Sequence, residues 1–370
     1  MPSMIEYAQY CINKVFDGIL TESELKKVRI DKGDRKTFDR ERDCFQSFRL
    51  EEQEFALPHI KWGACRAKIP ETEGQDATSF LVFTGLRFSE SEYKELSSYG
   101  IEPVVLNTGL ALRVIKEFKV PISSHVTLLE IEENLSSQHL DEGYTGHDFQ
   151  ELIDCFDEIT VLKISENSAV LRHSKSAQAY FALSFSNALV RLPFDELLVS
   201  FKNLIIDIPY LPPDSIFKSF TSSHWKHSYL ELYRCIEAIY LLPKAKQLKA
   251  ELQADGSVLD FAEKVEYHLG WRPREIDSLK SLISVVPNET LEHAVSEGFI
   301  DEPEQSEQER SHKLIEKISL RVYELRNGLV HYRIRRQNLT DETELWRMSV
   351  NYLMMMLRDI YMHFSQDLDE

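Results

Sequence analysis

The chain has 370 residues, with 43 lysines and arginines against 61 aspartates and glutamates, a formal net charge of -18 and 43% hydrophobic residues. That length asks for two or three domains, and the apolar content excludes wholesale disorder. No apolar run approaches the roughly 20 residues of a bilayer span, the stretch from Met1 to Glu6 lacks a signal peptide's basic and apolar regions, and the acid excess argues against a general nucleic-acid coat. A soluble, cytoplasmic protein with no membrane partner is expected.

In chain order, residues 4–19 predict an N-terminal helix, and 21–55 form a charged stretch without clear periodicity. Ile60–Ile69 alternate weakly. Phe80–Phe83, Val104–Leu106, Val126–Ile131 and Ile159–Ile164 are short β-branched or aromatic runs of strand length. Helical pieces lie between them: Glu90–Ser98 behind a Ser89 cap, Leu110–Phe118 ahead of Pro121, and Asp148–Phe156 with Phe149, Leu152, Ile153 and Phe156 at helical spacing. Residues 177–208 carry both periods. Pro209, Pro212 and Pro213 then predict a stiff linker, placed as the domain boundary.

Beyond Asp214 the pattern is helical. Trp225, Tyr229, Leu232, Ile236 and Ile239 form one apolar stripe of a helix expected to end near Pro243. Further helices are predicted over about 257–269, 275–285 and 289–299. The acidic run 301–309 reads as a solvated loop, followed by a helix marked by Ile315, Ile318, Val322, Leu325 and Leu329, and another from near Thr340. The fold class is therefore α+β: a mixed α/β domain over 1–210, then an all-α bundle over 215–370.

Five cysteines without C-x-x-C spacing argue against a disulfide framework or a zinc ribbon and predict buried free thiols. P-loop, Rossmann, nucleophile-elbow and H-E-x-x-H motifs are absent. His224 and His227 either share a metal or are ordinary histidines near a helix start, and no third ligand is placed beside them. His147-Asp148 reads as a helix-capping loop.

One segment stands apart. Residues 325–336 read Leu-Arg-Asn-Gly-Leu-Val-His-Tyr-Arg-Ile-Arg-Arg. On a regular helix Arg326 and His331 lie about 140° apart, whereas Asn327 and His331 share a face, and Gly328 gives room to bend. Eight basic residues between 310 and 336 face only Glu316 and Glu324, a strip of +6 in an acidic chain. An anionic ligand would account for such a strip.

The Arg-Asn-x-x-x-His segment, in an all-helical C-terminal part, resembles the R-x(4–6)-H motif of the HEPN superfamily. The helix Tyr229-Leu-Glu-Leu-Tyr-Arg-Cys-Ile-Glu-Ala-Ile239 is similar to the opening helix of its Apea-like group. The resemblance covers about 215–370 and leaves the first 210 residues without a role beyond a possible sensing or regulatory one.

That resemblance implies a HEPN-like bundle acting as a homodimeric, metal-independent endoribonuclease without cofactor. Such enzymes commonly serve as toxins or antiviral, anti-phage defence effectors. Carried over, His331 is the general acid/base, Arg326 the phosphate-binding residue and Asn327 a polar positioning residue. Arg333, Arg335, Arg336 and Tyr332 would contact RNA, and Glu237 would support Arg326. The expected products are a 2′,3′-cyclic phosphate and a 5′-hydroxyl. The first domain would bind a trigger or regulator.

Other readings stay open at this point. In the other reading Arg326 pairs with Glu324 or a carbonyl, His331 is a packed histidine, Arg333, Arg335 and Arg336 form a solvated turn, Glu237 pairs with Arg234, and Tyr332 packs in a core. A catalytically inactive HEPN-like adaptor, or an RNA- or nucleotide-binding dimerisation module, is the alternative function.

Overall fold

The computed structural model describes residues 3–31, 33–51, 56–57, 60–67, 78–136, 138, 142–189, 192, 197–269, 274–303, 309–330 and 343–369. Its contacts divide the chain into two units, Met1–Leu171 and Arg172–Glu370. The division falls earlier than the boundary expected at Pro209–Pro213. Pro213 is the first residue of a helix, where its fixed φ fits and its missing N–H costs nothing. Across the proline run, Tyr180 stacks on Phe217 with ring centroids 4.4 Å apart and donates to Asp214 Oδ1 at 2.6 Å. The prolines therefore join packed helices within the second unit.

In the first unit the helices are α1 Met4–Val15, α2 Glu22–Leu25, α3 Arg35–Ser47, α4 Glu90–Ser98, α5 Thr108–Glu117, α6 Leu128–Ile131 and α7 Phe149–Ile153. The strands are β1 Arg49–Leu50, β2 Ala56–Leu57, β3 Ile60–Ala67, β4 Thr78–Thr84, β5 Ile101–Pro103 and β6 Ile159–Ile164. They form one antiparallel sheet in the order β1-β3-β4-β6-β5, with β2 also paired to β3. Cys65, Ala67, Phe80, Val82 and Val161 share a buried core with Cys11 and Phe16, Phe45 of α3, and Leu110, Val114, Ile115 and Phe118.

Local polar chemistry overrides apolar runs at two places. The strand expected at Val104–Leu106 lies instead at Ile101–Pro103, because Asn107 leaves the sheet to cap α5, its side chain accepting from the Leu110 N–H. Val126–Ile131 is not a strand either. Thr127 and Glu130 close a capping box that starts α6, and a π-helical turn over Glu132–Ser136 follows.

The second unit is helical: α8 Lys175–Leu183, α9 Leu198–Asp207, α10 Pro213–Phe220, α11 Trp225–Glu237, α12 Leu242–Leu252, α13 Val258–Leu269, α14 Glu275–Ile283, α15 Asn288–Ser296, α16 Arg310–Val330, α17 Thr343–His363 and α18 Ser365–Asp369. The expected stripe of α11 is buried at Trp225, Tyr229, Leu232 and Ile236. That helix stops at Glu237 rather than near Pro243, which sits in the first turn of α12. Tyr229 Oη donates to the Val322 carbonyl at 3.2 Å and Tyr361 Oη to the Cys235 carbonyl at 2.7 Å, tying α11 to α16 and α17. All five cysteines are free and buried. Among the described residues, no helix is long and apolar enough to cross a membrane.

Candidate functional site

α16 runs unbroken through Gly328 to Val330, so Gly328 is a helix-interior glycine. Leu314, Ile318, Val322 and Leu325 form its buried face. Arg326 lies at the flank of that face, one turn beyond Val322, its side chain 21% exposed. There it meets the last residue of α11 and the first of α14. Its Nη2 donates to Glu237 Oε1 at 3.1 Å, its Nη1 to Asn327 Oδ1 at 3.0 Å, and its Nε faces Glu275 Oε1 at 3.4 Å. The guanidinium carbon stands 5.7 Å from the centre of the Tyr233 ring. Burial works against its charge, but Glu275 and then Glu237 outweigh burial and hold Arg326 above the ordinary arginine value.

The Glu237 alternatives now separate: Arg234 bonds Glu231 at 2.7 Å, and Glu237 bonds Arg326. A guanidinium has five N–H donors, and two of Arg326's are in these hydrogen bonds while the Nε donor faces Glu275. One N–H on each terminal nitrogen therefore remains uncommitted among the described residues.

Sequence reasoning missed Glu275, Tyr233 and Tyr240. Tyr233 Oη donates to Glu275 Oε1 and also contacts Tyr240 Oη. Burial, with Tyr240 and Glu275 adding to it, raises the Tyr233 phenol far above its usual range; burial likewise raises Tyr240. The available signal was weak. Tyr233 lies four residues before Glu237 on the same helix face, but nothing in the sequence brings Glu275 to that face.

His331, Tyr332, Arg333, Arg335 and Arg336 lie outside the described residues. The rest of the basic strip is largely neutralised in space. Arg310 forms ion pairs with Glu292 and Glu302, Lys313 with Glu316, and Lys317 donates to the Asp301 and Glu302 carbonyls at 3.1 Å. Arg321 differs: its Nε is buried with no hydrogen-bond partner among the described residues. Among the described residues of the strip, acids from other elements therefore fold onto Arg310 and Arg326. Among the described residues no three His, Cys, Asp or Glu side chains converge as a metal site, and the His224 and His227 rings sit edge to face at 5.6 Å. Comparisons with protein-family models, curated proteins and solved structures find no match for this chain.

Proposed function

We propose that the chain is a metal-independent endoribonuclease of HEPN type, with Arg326, Asn327 and His331 as its site. The observation that carries this reading is the anchoring of Arg326 by Glu237 and Asn327, with one N–H on each terminal nitrogen uncommitted among the described residues. That is the arrangement a phosphate-binding arginine needs: a fixed orientation and spare donors.

In the proposed reaction the RNA 2′-oxygen attacks its own phosphorus. The 2′-O–P bond forms, the P–O5′ bond breaks, and the 2′-hydroxyl proton is taken by one imidazole while the 5′-oxygen receives a proton from another. Arg326 stabilises the charge on the non-bridging oxygens. A homodimer supplies both imidazoles. Its support is the outer stripe of α16, where Leu320 is 49% and Val330 50% exposed and both share a helical face with Tyr323 and Asn327. A toxin or antiviral defence role and a trigger bound by the first unit belong to the same reading and rest on the resemblance, whereas a cytoplasmic location rests on the composition of the sequence.

Purified protein is expected to cleave RNA in excess EDTA, leaving 2′,3′-cyclic phosphate ends. Arg326→Ala and His331→Ala are each expected to lower the rate at least about 100-fold. Cleavage that survives both substitutions overturns the assignment. The second reading, a non-catalytic RNA-binding or dimerisation module, is favoured by one observation: two carboxylates confront the single guanidinium. RNA binding without cleavage in the same assay selects it.

A further inference from the structure

The two carboxylates at Arg326 are held in different ways. Glu237 ends α11, and Arg326 is its hydrogen-bond donor. Glu275 opens α14, where the dipole favours an anion, and it also accepts the Tyr233 hydroxyl. Tyr233 has one hydroxyl proton. Since that proton goes to Glu275, the Tyr233–Tyr240 contact requires Tyr240 to be the donor. A chain from Tyr240 through Tyr233 to Glu275 therefore fixes a carboxylate independently of Arg326. With Glu237 and Glu275 both charged, the cluster is one unit negative. No other cation pairs with either carboxylate among the described residues.

We propose that Glu275 is a specificity-determining residue of this site, a fixed counter-charge that weakens anion binding at Arg326. The site then rejects small anions, which offer Arg326 a single phosphate and nothing else. It retains an RNA strand whose sugars and bases make further contacts with the protein. The inference rests on Arg326 being the phosphate-binding group of the proposed ribonuclease. Glu275→Gln keeps the shape of the side chain and its ability to accept from Tyr233 while removing its charge.

The test measures binding of a 2′-O-methyl oligoribonucleotide, which lacks the attacking hydroxyl and so is not consumed, at fixed salt in EDTA. Glu275→Gln is expected to tighten binding about three- to tenfold, the effect of removing one screened charge close to the phosphate. The gain is expected to vanish when Arg326→Ala is added. If wild-type binding needs Arg326 but Glu275→Gln binds no tighter, the inference is overturned and the ribonuclease reading stands. If Glu275→Gln tightens binding through Arg326 but wild type does not cleave ordinary RNA, the inference stands and the ribonuclease reading falls. Affinity indifferent to Arg326 in every background overturns both. Tyr233→Phe unpins Glu275 without removing its charge and is expected to act in the same direction by a smaller factor. Unchanged affinity there counts against the inference should the glutamine variant not fold.

Discussion

Tyr233 occupies a position in which its proton matters for stability as well as for the site. Its ring is buried, its hydroxyl is committed to Glu275, and burial followed by Tyr240 and Glu275 raises it above the free phenol value of 10.0. Replacing it by phenylalanine leaves Glu275 without that donor and is expected to cost about 1–2 kcal/mol near neutral pH. The pH dependence has a definite sign. A group whose pKa is raised on folding contributes fully below its unfolded value, and the contribution is lost as pH rises and the unfolded chain ionises first. The stability gap between wild type and Tyr233→Phe is therefore expected to narrow above pH 10.0. Urea titrations of both proteins near neutrality and above that pH measure it, and a gap that widens in alkali contradicts the account. Buried thiols add to the same alkaline trend in wild type, since burial pushes Cys11 up to about 12 and Cys44 up to about 11. They are common to both proteins and cancel in the comparison.

Helix crossings show which parts of this fold are legible in the sequence. β4 and β6 are readable from short β-branched or aromatic runs, β3 from a weak alternation, and α11 because its stripe is periodic. α3 was not. It buries only Cys44 and Phe45, and its start is marked only by Asp34, which accepts from the Lys36 and Thr37 N–H groups. Its place is fixed by partners far along the chain: Arg113 Nε donates to the Phe45 carbonyl at 2.9 Å and its guanidinium stacks 4.4 Å from the Phe45 ring. The candidate site divides in the same way. Arg326, Asn327 and Glu237 could be named from a motif and a helix, whereas Glu275 arrives through the packing of α14 on α16, which no local pattern encodes. The α3–α5 crossing also depends on a residue without a side chain. A Cβ on Gly109 would lie 2.0 Å from the Glu41 carbonyl oxygen, so α5 would have to move away from α3. Gly109→Ala is expected to destabilise the protein by about 1–3 kcal/mol, seen as a lower denaturant midpoint at unchanged slope. A neutral effect would mean that the two helices do not cross at this distance.

Charge at the scale of the whole chain sets how RNA binding should respond to salt. The first unit carries -12 and the second -6, so neither offers a basic body to a polyanion. The described part of the basic strip is mostly cancelled by Glu292, Glu302, Glu316, Glu237 and Glu275, and among the described residues two of the Arg326 donors stay uncommitted. A protein that neutralises many phosphates releases many counterions, and its affinity for single strands falls with a log–log slope of about -0.7 per phosphate. Here one to four phosphate contacts are expected, from Arg326 and up to three of Arg333, Arg335 and Arg336. The slope of log affinity against log salt should then lie between about -0.7 and about -2.8. Fluorescence anisotropy with a 2′-O-methyl oligoribonucleotide over a range of salt concentrations measures this, and Arg326→Ala should make the slope shallower by about one contact. A slope steeper than about -4 would require an extended basic groove. That result would move recognition away from Arg326, since among the described residues the strip's basic side chains are mostly paired with acids.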